Sequence, residues 1–403
     1  MDLLNEETAK LPVMLGRQVC SECQIMKSNQ IGRRRGAVAV LVAVLLVVVL
    51  GMVACAVDLG VLMVAQSDLQ RAADAAAHAA VLEYRSDGNA YRIITDTRRT
   101  AKQYVEDNPV LDRQVTVHRN TFNADLDGDI VVGRIDFSNP RGPMTFDDPE
   151  QYNAVRVKVS QTADRNGEVG LFFANIFGYS SMMLRAEATA AIIKNVGGFK
   201  VPGSGANVPF LPITIDEDYW ERQVRQGADR WGYDAISQSI DATPDGIPEV
   251  VLFPTRTSSS GNFGTVNVGQ SSNSTKHLAG QIRDGLSKSD LDYHGGSLAL
   301  DDSGELTLSG DPGLSASVKD DLESIAGKPV IIPIYRDVSG NGNNAKFVIV
   351  KFVGVRIVAV NLTGGNKYVS VQPANVTFKG VVQAAPGVSG TSQNIYSPPV
   401  IVQ

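Results

Sequence analysis

A chain of 403 residues that is 43% hydrophobic and 20% charged can bury more than one core, which excludes disorder along its whole length. Thirty-seven Lys plus Arg against 43 Asp plus Glu leave a net formal charge of -6 with no long basic run, so nucleic acid is not an expected partner. The three cysteines, Cys20, Cys23 and Cys55, are too few for a disulfide scaffold, and residues 56–403 carry no thiol at all.

In chain order, the first candidate motif is Cys20-x-x-Cys23. A structural zinc site needs two further ligands, and no second Cys or His pair lies on that side, so residues 1–36 read as a tail. An intramolecular metal site, and a redox or intermolecular metal role, stand as alternatives to an inert tail. Residues 37–57 follow without a charge, nine of them Val and four Leu. A helix of that length, at about 1.5 Å per residue, spans a hydrocarbon core of about 30 Å. At about -0.3 to -0.6 kcal/mol each, the Leu and Val residues together contribute about -4 to -8 kcal/mol to insertion.

Arg33, Arg34 and Arg35 precede the span, whereas Asp58 opens its far side. The positive-inside bias predicts a single-pass protein with a cytoplasmic N-terminus, Asp58 as an interfacial stop, and residues 58–403 outside. That outer part has 39 acidic and 31 basic residues. Two processing readings compete with a permanent anchor, because Ala54-Cys55-Ala56 has a signal-peptidase form and residues 52–55 approach a lipobox. Against both, the apolar run exceeds a usual signal-peptide core and helical periodicity continues past Cys55.

That periodicity runs through Leu62, Ala65, Leu69, Ala72, Ala76 and Ala79 at alternating spacings of three and four. Ala dominates residues 72–80, which favours helix and permits close approach. The span and its extension predict one helix over 37–84, roughly 72 Å long. Two uses of the seam are open: packing of an amphipathic helix on its own domain, or contact with a second helix, including self-association.

The run Arg34-Arg35-Gly36-Ala37, the apolar span, then Asp58-Leu59-Gly60 and Leu69-Gln70-Arg71-Ala72-Ala73-Asp74-Ala75-Ala76 resembles the N-terminal module of TadG-like proteins, Flp pilus-assembly components of bacterial tight-adherence systems. The strong likeness covers residues 33–85, and a weaker one extends to about Lys194. Pilin-type precursors are cut after a Gly and carry Glu at the fifth following position. Here Gly36 is followed at that distance by Leu41. The resemblance therefore implies a stably anchored accessory protein of the bacterial inner membrane, whose partners are the bilayer and other pilus-assembly or envelope proteins. His78 stands where the family more often has an apolar residue.

Beyond the anchor the pattern predicts an α+β protein with antiparallel sheets, arranged as two exported domains. The first covers 58–196, with a helix over 89–107 ended by Asn108-Pro109, strands over 114–119, 129–137 and 154–160, a short apolar helix over 170–177, and a strand over 183–194. Glycines mark 197–205 as a linker. The second domain, 206–382, is expected to hold helices over 216–228 and 314–326 and strands over 249–255, 330–335, 346–360 and 368–379. Residues 383–403, with Pro386, Pro398 and Pro399, read as an irregular tail.

Three motifs invite a chemical reading. Asn123, Asp125, Asp127 and Asp129, with Gly128, place oxygens at alternate positions like the start of a calcium loop, but its twelfth position is Arg134 and an Asp-Gly hairpin turn is the simpler account. Asp337-x-Ser339-x-Asn341 resembles the metal motif of von Willebrand A domains, and Gly340-x-Gly342-x-x-Ala345 mimics a dinucleotide fingerprint. Both lack the following helix, so a Gly/Asn loop joining two strands is expected. Asp292, His294 and the run 258–260 of Ser contain triad residue types without a nucleophile elbow. The expectation is a non-enzymatic protein without cofactors, acting in pilus assembly, anchoring or adhesion. An envelope-tethered binding module for sugar, peptide or calcium is the alternative, and a secreted hydrolase the second.

Overall fold

The computed structural model describes residues 35–86, 88–252, 263–269, 274–311, 313–340, 344–364 and 367–402. One helix, α1 (Arg35–Val81), runs without a break through Ala54-Cys55-Ala56, so neither processing motif is presented as extended chain. The chain divides into two compact units at Val57/Asp58. In the first, nearly every side chain over 38–57 is exposed on every face of the helix. A helix apolar all round is matched to lipid rather than to a protein core.

The second unit is an α+β body built on separate hydrophobic cores. Its first part continues with α2 (Ala90–Glu106). The Asn89 side chain caps this helix by accepting from the Arg92 N–H at 2.9 Å, and Pro109 prevents its continuation. Strands follow in the order β1 (Ile130–Gly133), β2 (Ala154–Gln161), β3 (Val169–Gly170), β4 (Ser181–Met182), β5 (Leu184–Ala191) and β6 (Val196–Lys200). The main sheet has the order β1-β2-β5, all antiparallel, with Val132 opposite Val155 and Val155 opposite Ala190. Period-two alternation puts Val155, Val157 and Val159 on one face with Ala186, Ala188 and Ala190, where α1 covers them. Alanines on both surfaces let the helix approach closely. Gln66 and Gln70 of α1 donate to the Arg185 and Glu187 carbonyls of β5 at 3.0 and 3.2 Å, which occupies acceptors on that strand.

Around the second and third cores, the strands Pro329–Ser339 and Ala345–Asn361 form a long antiparallel hairpin, with Ser339 opposite Lys346. The second of them also pairs with Leu306–Asp311, which pairs with Phe263–Val266, then Ile213–Asp216, and back to Pro329–Ser339, so five strands close on themselves. Helix α3 (Glu217–Gln226) buries Trp220 against this part of the fold.

Several expectations need correction. The supposed linker 197–205 begins inside β6, the central strand of a three-stranded sheet with Ser297–Ala299 and Val381–Gln383. Gly197 and Gly198 are there because neighbouring backbone comes close: a Cβ at 198 would lie 2.5 Å from the Ala299 Cα, and one at 197 would lie 2.6 Å from the Ala384 Cα. Residues 114–119 bury Val115 and Val117 alternately but pair with no strand; side chains serve their backbone instead, Asn166 accepting from Thr116 N–H and Asp129 from His118 N–H. The segment 170–177 contributes only a short 3-10 turn, Ala174–Phe177, and 314–326 only Ala316–Val318 and Lys319–Ser324. The tail over 383–403 is not irregular throughout, since Val400–Ile401 adds to β5 and Ile395–Tyr396 pairs with Val376–Thr377.

Candidate membrane-proximal site

Asp58, the first acidic residue after the apolar span, is buried, and its carboxylate is fully engaged. Oδ1 accepts from the Phe172 N–H at 2.9 Å, and Oδ2 from the N–H groups of Phe173 and Ala174 at 3.0 and 2.6 Å. Burial opposes the charge, but the donors of Ala174, Phe172 and Phe173 outweigh it and hold the carboxyl below the usual carboxylate range. A residue expected to do no more than end the membrane span at the interface therefore latches the hairpin β3–β4 to α1. Three successive amides converging on one anion form a nest, and only an ionised carboxylate satisfies all of them.

The helical seam is spent within the chain itself. Ala65, Leu69, Ala72 and Ala76 have no exposed surface, while Leu62 and Ala79 are half-buried. Leu69 and Ala76 lie in the core that contains the Val face of β2, and Leu62 packs against it. An intermolecular contact through these residues would have to expose that core, so of the two uses left open for the seam the structure displays packing of the helix on its own domain. The physical reason is composition: Ala-rich helix and Ala-rich β5 fit one another without leaving room for a second helix.

The Flp pilus-assembly TadE/G-like family matches residues 36–83, and the Tad-like Flp pilus-assembly family matches residues 64–190. Residues 36–190 are thus similar to TadE/G-like pilus-assembly proteins. No curated protein and no solved structure matches the chain. The Tad-like region thus contains α1, the Asp58 latch and the sheet through β5. It also agrees with an accessory role in pilus assembly and, through α1, with a single-pass membrane anchor.

Within the Tad-like region the calcium candidates turn to separate protein partners. Asn123 Oδ1 accepts from Arg98 at 2.6 Å, Asp125 closes a local turn onto the Asp127 N–H, Asp127 pairs with Lys158, and Asp129 pairs with Arg165. Among the described residues, no group of three or more His, Cys, Asp or Glu could hold a metal ion. Asn123 is instead part of a buried arrangement in which Arg98 also donates to the carbonyls of Ile130 and Arg119 at 2.9 and 3.0 Å. Nothing in the sequence singles out Arg98; its only signal is a charge on the apolar side of α2.

Beyond residue 190 the other motifs lose their chemical reading. Asp292 pairs with Lys288 at 2.8 Å, while His294 packs edge-on against Tyr293 with ring centroids 5.2 Å apart. Burial lowers the pKa of His294, and no contact joins it to Asp292. The Ser run 258–260 lies outside the described residues, as do Asn341, Gly342, Cys20, Cys23, Arg33 and Arg34. Asp337 and Ser339 belong to a strand, and Gly340, with φ of 82°, begins the turn back into its antiparallel partner.

Proposed function

We propose that the chain is a single-pass, non-enzymatic accessory protein of a Tad/Flp-type pilus system, with residues 37–57 in the bacterial inner membrane. Arg33, Arg34 and Arg35 keep the N-terminus in the cytoplasm, and the body from Asp58 onward stands outside, where it serves assembly, anchoring or adhesion by contact with other pilus-assembly proteins. The observation that carries this reading is the abrupt change along one unbroken helix: apolar and exposed up to Val57, then charged at Asp58 and buried among the alanines of the body.

The test is genetic and structural together. A strain lacking the protein should lose surface pili by electron microscopy, and the wild-type chain should restore them. A chain carrying Leu46→Arg and Val47→Arg should not, because two central arginines cost about 5–7 kcal/mol of insertion, comparable with everything the apolar span contributes. Normal piliation without the protein, or full rescue by the doubly substituted chain, would overturn the proposal.

A further inference from the structure

Residues 169–184 contain no charged side chain, and this run forms the hairpin β3–β4 with its 3-10 tip. Instead of burying its apolar groups, the tip displays them: Ile176 is 80% exposed and Phe177 81%, with Phe172 and Tyr179 close behind. Met182 and Met183 continue the patch along the returning strand, and both are exposed. So many large apolar groups on one short loop mark a surface that meets something other than water. The loop is also fixed in place, because Asp58 holds three of its amides.

We propose that this loop is seated in the outer interface of the lipid bilayer as a second, monotopic anchor beside α1. The inference rests on the reading of 37–57 as the membrane span. Three observations select lipid over a protein partner. First, Asp58 directly follows Val57, so the loop is tied to the residue at which the span ends. Second, Leu59, Met63 and Val64 on the next turns of α1 are exposed as well, extending the apolar belt on the same side of the boundary. Third, much of the loop backbone is engaged within the protein: Leu171 N–H donates to the Ser180 carbonyl at 2.9 Å, Gly178 to Asn175 at 3.0 Å and Tyr179 to Ala174 at 3.1 Å, and the amides of 172–174 donate to Asp58. Such closure lowers the cost of bringing this backbone near hydrocarbon. Tyr179 supplies the amphipathic ring that favours the headgroup level, and no acidic or basic group opposes entry. The latch also explains how a carboxylate can sit at the hydrocarbon edge, since the loop amides replace its water.

The test uses the full chain in vesicles of phosphatidylethanolamine and phosphatidylglycerol, with Cys20, Cys23 and Cys55 changed to Ser. Nitroxide labels are placed in turn through Val48→Cys, Ile176→Cys and Ile236→Cys, and collision rates with oxygen and with a water-soluble nickel chelate are compared. Ile236 is 95% exposed and lies outside the loop, so it reports a solvent-facing apolar position. The expected result is oxygen preference at 48 and 176, with the order reversed at 236. Nickel preference at 176 with oxygen preference at 48 would overturn the second anchor and leave the span intact. Low collision with both reagents at 176 would show a protein cover and overturn the lipid assignment. Nickel preference at 48 would remove the span and the loop proposal with it.

Discussion

Replacing Leu69 by Ala separates the two uses of the α1 seam. Leu69 has no exposed surface and lies in the core shared by α1 and the sheet of β1, β2 and β5. Truncating a Leu in such a place removes its transfer free energy and leaves a cavity, costing about 2–5 kcal/mol. Even the lower figure changes the folded-to-unfolded ratio about 30-fold, and for a unit running from Asp58 to Gln403 it lowers the thermal midpoint by roughly 3 °C or more. The assay is thermal unfolding of the full chain in detergent, followed by circular dichroism, with chemical crosslinking of the same samples. Met63→Ala, on the exposed side of the same helix, is the control and should leave the midpoint in place. If Leu69→Ala left the midpoint unchanged while dissociating an oligomer, the seam would be an intermolecular surface and the packing described here would be wrong.

Four further outcomes follow from the same geometry. Asp58→Ala should free the amides of residues 172–174 and increase their hydrogen exchange, with Asp58→Asn retaining part of the protection; equal protection in all three chains would contradict the latch. Because the folded carboxyl is held below its usual range, the latch is fully present at neutral pH and is lost only as pH falls below the ordinary carboxylate value, so the protection of these amides relative to their intrinsic, pH-dependent exchange rate should not change between pH 5 and 8. Gly198→Ala forces its Cβ onto Ala299 and should destabilise the body by about 1–3 kcal/mol, readable as a lower urea midpoint. Arg98→Ala leaves the Arg119 carbonyl without its donor and takes one of two donors from the Ile130 carbonyl and from Asn123 Oδ1, which keep Asn120 and the Val132 N–H; the loss should be about 1–3 kcal/mol, and an unaltered urea midpoint would contradict that role.

Those parts of the molecule governed by local periodicity are legible in the sequence. The length of α1, the helix after Asn89, the alternating β2 and the long hairpin of the second part all follow from spacing within one segment. What is hidden is governed by distant neighbours. Gly197 and Gly198 resemble a linker until Ala299 and Ala384 are seen beside them, and residues 114–119 have strand alternation without a partner strand. The seam's spacing identifies an amphipathic helix but not what covers it; that depends on the alanines of β5, more than 100 residues away. Asp58 is recognisable as the end of the span, whereas its hold on residues 172–174 depends on a contact that no local pattern encodes. The apolar run near Phe172 reads as a short apolar helix, and its pattern gives no sign that Phe172, Ile176 and Phe177 are exposed.

The central claim is that an uncleaved helix anchors a body lying wholly on the far side of the inner membrane. It is tested most directly by treating intact spheroplasts with protease while following epitope tags placed before Arg33 and after Gln403. The account predicts that the C-terminal tag is lost and the N-terminal tag persists on a membrane-bound fragment that is degraded only after permeabilisation. Survival of the C-terminal tag on intact spheroplasts, or a mature chain that begins after residue 57, would contradict it.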